Sequence, residues 1–205
     1  MKERDIIWTA RILSIVFTPF YLPILGLIVL FTFSYLSLLP LTYKLWVTAI
    51  VWFFTILLPS LLINLYRRYQ GWTLLELGVK ERRVVPYLLS IACYLCCFHL
   101  MDSLHIPRFV GSILMAALMV QVVCALVNLW WKISTHSAAI GGVTGALLAF
   151  SLIFMFNPVW FLCLSILVGG LVGTSRMILR QHSLAQVIMG YFIGVLTAFT
   201  NIIFI

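Results

Sequence analysis

The chain has 205 residues, 64% of them hydrophobic and only 9% charged, with a net charge of +8. A soluble domain of this size needs about 25% charged residues to cover its surface. A mean hydropathy of +1.16 therefore excludes a soluble protein and predicts an all-α polytopic membrane bundle, with residues 1–205 as a single domain. The cations do not point to nucleic acid, because no basic soluble face exists to carry such contacts. In a membrane protein they read as topology signals plus an anion site.

A span needs about 20 mostly apolar residues. Helices are accordingly predicted near 8–36, 41–66, 86–101, 108–131, 138–155, 158–174 and 184–204, giving six to seven spans. The first apolar run is too long for a cleavable signal, and no small-residue cleavage site follows it. Pro19 and Pro23 predict that this run is kinked, tilted or partly interfacial, and Pro59 predicts a kink in the second helix. Pro40, Pro86, Pro107 and Asn157-Pro158 punctuate the other boundaries. Between the second and third helices, residues 67–86 mix Trp72, Leu74, Leu75 and Leu77 with cations, as in a segment lying on the membrane surface.

Two polar islands interrupt the later helices: Lys132-Ile-Ser-Thr-His136, and Ser175-Arg176 through Arg180, His182 and Gln186. An ionisable residue within an apolar span is costly and marks function by default. Counting crossings places the N-terminus, the 67–86 loop and both islands on one face. Of the 13 Lys and Arg residues, all but Lys44 and Arg108 fall on that face. The positive-inside rule makes it cytoplasmic, in what is expected to be a bacterial inner membrane.

Other features read as structural. Cys93, Cys96, Cys97, Cys124 and Cys163 lie within apolar runs and behave as small hydrophobes. Gly141, Gly145, Gly169, Gly173, Gly190 and Gly194 recur at four-residue spacing on the last three helices, where small residues let backbones approach closely. His99, Asp102 and His105 fit a short cap on the opposite face, and Lys44 a snorkelling position. Gln121 and Asn128 fit bonds across the bundle or a cavity lining.

Two histidines among Arg and Lys, with few acids, suggest phosphate chemistry. Arg presents a planar donor fork to phosphate oxygens, and Lys adds a point charge. One neutral imidazole can attack phosphorus while a second, protonated, gives its proton to the leaving oxygen. No metal is expected, because His136 and His182 lack neighbouring Cys, Asp or Glu to complete a coordination shell, and no cofactor is expected either.

These residues resemble the signatures of the type 2 phosphatidic acid phosphatase (PAP2) superfamily. Ser175-Arg176, five residues and His182 resemble its third signature, Ser-Arg-x5-His-x3-Asp. Lys132-Ile-Ser-Thr-His136-Ser resembles a diverged Pro-Ser-Gly-His second signature. The 46-residue step between the histidines, with one helical hairpin, is also as the family has it. With Pro19/Pro23, Glu81-Arg82-Arg83 before Pro86 and Gly141-Gly142, the whole chain resembles a PAP2-like branch common in Bacteroidetes. The resemblance implies His182 as the nucleophile that forms a phosphohistidine and His136 as the acid for the leaving group. It implies Arg176 as the phosphate grip, with Lys132 and the backbone at Ser134 and Thr135 completing the cradle. Membrane lipids are the implied surroundings and a lipid phosphate the implied substrate.

The chain departs from the family pattern at named positions. Gln186 stands where the family has the Asp that orients the nucleophile. Thr135 replaces a glycine. Val85 occupies the usual Arg position of the first signature, leaving Lys80 and Arg83 as looser phosphate-facing candidates. A lipid-phosphate phosphatase is the leading expectation. The rivals are a catalytically weakened PAP2-like protein that binds or translocates lipid phosphates, and a small transporter or assembly factor for another anion.

Overall fold

Apolar residues in lipid must satisfy every backbone polar group internally, and a helix does this within one segment. The computed structural model describes residues 3–33, 35–72 and 84–204, and the described residues form helices and no strands. They are α1 (Glu3–Val16), α2 (Leu22–Phe33), α3 (Leu41–Trp52), α4 (Leu58–Tyr69), α5 (Val84–Ser103), α6 (Arg108–Trp130), α7 (Thr135–Phe154), α8 (Val159–Ile178) and α9 (Leu184–Ile203). Six of the described helices are long and apolar enough to cross a membrane, with α3 and α4 counted together as Leu41–Tyr69. The chain is an integral membrane protein. Its lipid-facing surface is apolar in the expected manner: Leu184, Ile188, Phe192 and Leu196 form an exposed stripe at four-residue spacing along α9.

The first predicted span is bent at its prolines, as expected. The segments Arg4–Tyr21 and Pro23–Thr32 meet at 68°. Pro19 and Pro23 each lack an N–H for a continuous helix, and Thr18 Oγ1 closes the end of α1 by donating to the Ile15 carbonyl at 2.7 Å. Pro59 lies within the continuous stretch Leu41–Tyr69. The helix continues through it, with a π-turn at Phe53–Leu57 immediately upstream. That wider turn accommodates the carbonyl which the proline ring would otherwise strike.

Helix ends shift where caps are available. The fifth predicted helix begins at Thr135 rather than near 138, because Ser134 caps it by accepting from the Ser137 N–H at 3.4 Å. The sixth runs to Ile178, which places Arg176 on its last turn. At the opposite face, His105 adopts a left-handed backbone (φ 54°). Its N–H reaches the Asp102 carbonyl and the Ile106 N–H reaches that of Met101, closing α5 as a Schellman turn.

The last three helices form the tightest part of the bundle. α7 and α9 run parallel, and a Cβ at Gly141, Gly145 or Gly194 would strike the carbonyl of Tyr191, Val195 or Ala138. Antiparallel α8 packs against α9 with Gly169 beneath the Tyr191 ring and Gly173 against Val187. Thr144 Oγ1 joins the three helices through Ser165 Oγ at 3.1 Å and the Tyr191 hydroxyl at 2.9 Å. Close backbones and interhelical hydrogen bonds are what hold helices together when the solvent is itself apolar.

Candidate anion site

Both polar islands lie at the same end of this three-helix core, and backbone contacts join them. The Ser134 N–H donates to the Gln186 carbonyl at 3.4 Å. A Cβ at Gly190 would come within 2.7 Å of the Ser134 carbonyl, so only glycine permits the first turn of α9 to sit this close. The N-termini of two parallel helices are thereby brought side by side. Each carries the positive end of a helix dipole, which favours an anion.

The cationic and titratable residues of the islands sit on the helix ends that meet at that junction. Arg176, on the last turn of α8, is only 8% exposed, and His182, between α8 and α9, is 7% exposed. His136 is partly buried on the first turn of α7, next to Thr135 and the fully buried Ser134, and Lys132 is half-buried just before them. Ser134 Oγ and Ser137 Oγ are 2.9 Å apart. Lys80, Glu81 and Arg83 lie outside the described residues.

A tight reversal carries the chain from Arg176 to His182. The Gln181 N–H donates to the Arg176 carbonyl at 3.1 Å, and the Arg180 N–H to the Met177 carbonyl at 2.9 Å. This is a Schellman turn, with Arg180 at the left-handed position (φ 51°) usually given to glycine. Two residues later Ser183 caps α9. Its Oγ accepts from the Gln186 N–H at 3.4 Å, while Gln186 Oε1 accepts from the Ser183 N–H at 3.2 Å. The Ser183-Leu-Ala-Gln186 spacing is a capping box legible in the sequence, and the sequence reading did not use it.

The capping box also orients the histidine. Gln186 Oε1 lies 3.1 Å from His182 Nδ1. The amide atom receiving the Ser183 N–H must be oxygen, so Nδ1 is the nitrogen that carries a proton. In the neutral ring this leaves the lone pair on Nε2, as a nucleophile or acceptor requires. Gln186 thus holds the His182 ring as a neutral acceptor.

One contact had no signal in the sequence. Arg176 Nη1 donates to Ser14 Oγ at 2.5 Å, across 162 residues of chain. Ser14 belongs to α1, which packs along α8, and no spacing rule connects so distant a pair.

An apolar groove leads away from the site. One face of α7 lines it from Thr135 through Ala139, Gly142 and Ala146 to Phe150 and Phe154, with α2 and α6 opposite. At 1.5 Å per residue this face is about 28 Å long. Its walls carry small side chains at the Thr135 end and aromatic ones at the other.

No protein-family model, curated protein or solved structure matches the chain. Among the described residues no three His, Cys, Asp or Glu side chains gather closely enough to hold a metal ion. One end of the three-helix core thus carries two helix N-termini, a buried guanidinium and an imidazole with a defined tautomer.

Proposed function

We propose that the protein is a lipid-phosphate phosphatase of PAP2 type, working without metal or cofactor through a phosphohistidine. The observation that carries this reading is the hydrogen bond from His182 Nδ1 to Gln186 Oε1. It leaves Nε2 as the basic nitrogen, on a chain reversal that also holds Arg176. In the proposed first step Nε2 attacks phosphorus and the bond from phosphorus to the lipid oxygen breaks. His136 supplies the proton that the departing oxygen takes up. Water then attacks the phosphohistidine, His136 accepts its proton, and inorganic phosphate leaves. Arg176, Lys132 and the α7 N-terminus at Ser134 and Thr135 stabilise charge on the transferring group.

The groove beginning at Thr135 supports an amphiphilic substrate. A hydrocarbon chain laid along the small-residue face of α7 would keep its phosphate at the island end. The cation bias supports a site on the cytoplasmic side of a bacterial inner membrane. Membrane lipids and the lipid phosphate are the proposed partners, with no role for nucleic acid.

A second reading rests on Gln186. A neutral amide cannot stabilise imidazolium as a carboxylate does, and removing the acid partner of a Ser-His-Asp triad costs about 10⁴ in rate. This favours a protein that binds or translocates lipid phosphates and turns over slowly. Release of inorganic phosphate from a lipid-phosphate panel, wild type against His182→Ala, separates the two. Release abolished by the substitution supports the phosphatase. Equal background from both proteins, with lipid phosphate still bound, supports the binder.

A further inference from the structure

Arg176 reaches Ser14 with a 2.5 Å hydrogen bond, and both side chains are buried, at 8% and 6% exposure. Ser14 lies on a helix outside the three-helix core. α1 meets α2 at the 68° elbow and lies against α8. Thr18 Oγ1, which also approaches the Ser14 carbonyl at 3.4 Å, closes α1 one turn after Ser14. The elbow therefore sets where the Ser14 hydroxyl stands.

We infer that Ser14 is a positioning residue for Arg176, so that α1 is part of the anion site. The inference rests on the phosphate-site reading above. A guanidinium has five N–H donors in a rigid fork. One given to a hydroxyl fixes the plane of the fork, and with it the direction in which the guanidinium can meet phosphate oxygens. Serine suits this role chemically. A carboxylate here would neutralise the cation and compete with the incoming anion, whereas a hydroxyl accepts a hydrogen bond and leaves the positive charge intact. Arginine has many rotamers, and holding it in its binding orientation beforehand lowers the entropic cost of capturing the anion.

The test uses the full chain in detergent with two readouts. The first is modification of Arg176 by phenylglyoxal, followed by peptide mass spectrometry, which needs neither substrate nor turnover. Ser14→Ala is expected to raise the modification rate several-fold, and Ser14→Thr, which keeps the hydroxyl, to restore it. The second is binding of inorganic phosphate and orthovanadate. Ser14→Ala is expected to weaken both about 10-fold, the lower end for losing a hydrogen bond to a charged group, with Ser14→Thr close to wild type. In an Arg176→Ala background, Ser14→Ala should have no further effect on binding.

Alanine favours the helix, and a matching thermal midpoint for Ser14→Ala and Ser14→Thr shows that the readouts compare folded proteins. If Ser14→Ala is nonetheless unfolded, Ser14→Cys, similar in size with a weaker acceptor, takes its place. Unchanged Arg176 modification, or unchanged anion affinity in a wild type that binds phosphate, overturns the inference. A wild type that binds neither anion nor lipid phosphate overturns the phosphate-site reading instead, and is recognised because Arg176 modification still responds to Ser14.

Discussion

Gln186 Oε1 stands 3.1 Å from His182 Nδ1 and 3.2 Å from the Ser183 N–H. One oxygen thus caps the last helix and sets the tautomer of the proposed nucleophile. Substitutions at Gln186 separate these two tasks. Gln186→Ala removes both and is expected to lower stability by about 1 kcal/mol, as loss of a capping interaction does, along with any turnover. Gln186→Asp keeps an acceptor four residues from His182 and adds charge. It is expected to raise kcat, by up to about 10⁴-fold if the neutral amide is the whole deficit. Steady-state phosphate release with thermal denaturation checks both, and no gain from Asp would place the deficit elsewhere.

His136 is proposed to protonate the leaving oxygen, so its importance depends on how badly that oxygen needs a proton. His136→Ala is expected to slow alkyl lipid-phosphate hydrolysis by about 10²–10⁴-fold. An aryl phosphate ester whose phenolate leaves unaided should lose far less in its phosphorylation step. Equal losses on both substrates in a pre-steady-state assay would remove His136 from the role of acid.

The glycine seam makes a prediction independent of any activity. At Gly194 a methyl group meets the Ala138 carbonyl, which cannot move without displacing α7, whereas a Cβ at Gly170 meets nothing within 4 Å. Gly194→Ala should cost about 1–3 kcal/mol or more through overpacking and separate the helix N-termini that form the site. Gly170→Ala should be neutral or slightly stabilising. Unfolding midpoints in detergent for the pair check this directly.

Arg180 occupies a left-handed position that favours glycine. Arg180→Gly is expected to relieve about 1 kcal/mol of backbone strain while leaving the Schellman hydrogen bonds in place. If anion affinity also falls, the exposed Arg180 side chain contributes charge to the site. If affinity holds, its role is confined to the turn. Thermal denaturation and phosphate binding on one preparation distinguish these outcomes.

Orientation is testable at Gln70, an exposed residue at the end of α4, on the face that carries both islands. A cysteine introduced there should resist a membrane-impermeant thiol reagent in intact cells and react after permeabilisation. Labelling of intact cells would put the site on the outer face.

Much of this protein is readable before folding is considered. Composition and the length of apolar runs dictate a helical membrane bundle, because lipid leaves backbone groups no partner but one another. The parity of crossings brings Lys132–His136 and Ser175–Gln186 to one end, and the four-residue glycine spacing foretells close packing of α7, α8 and α9. These are local or counting arguments, and a sequence carries them. Helix starts were less legible: Ser134 and Ser183 moved or fixed them through caps, and only the second has a spacing that announces itself.

Tertiary structure alone decided the rest. The backbone contact between Ser134 and Gln186 depends on Gly190 facing a carbonyl rather than a side chain. Pro19 and Pro23 announce a break after α1, but its 68° angle is set by packing. Ser14 meets Arg176 across 162 residues because that elbow lays α1 on α8. Sequence patterns record periodicity along a helix, but a hydrogen bond between distant helices depends on how their surfaces pack, and no single segment encodes that.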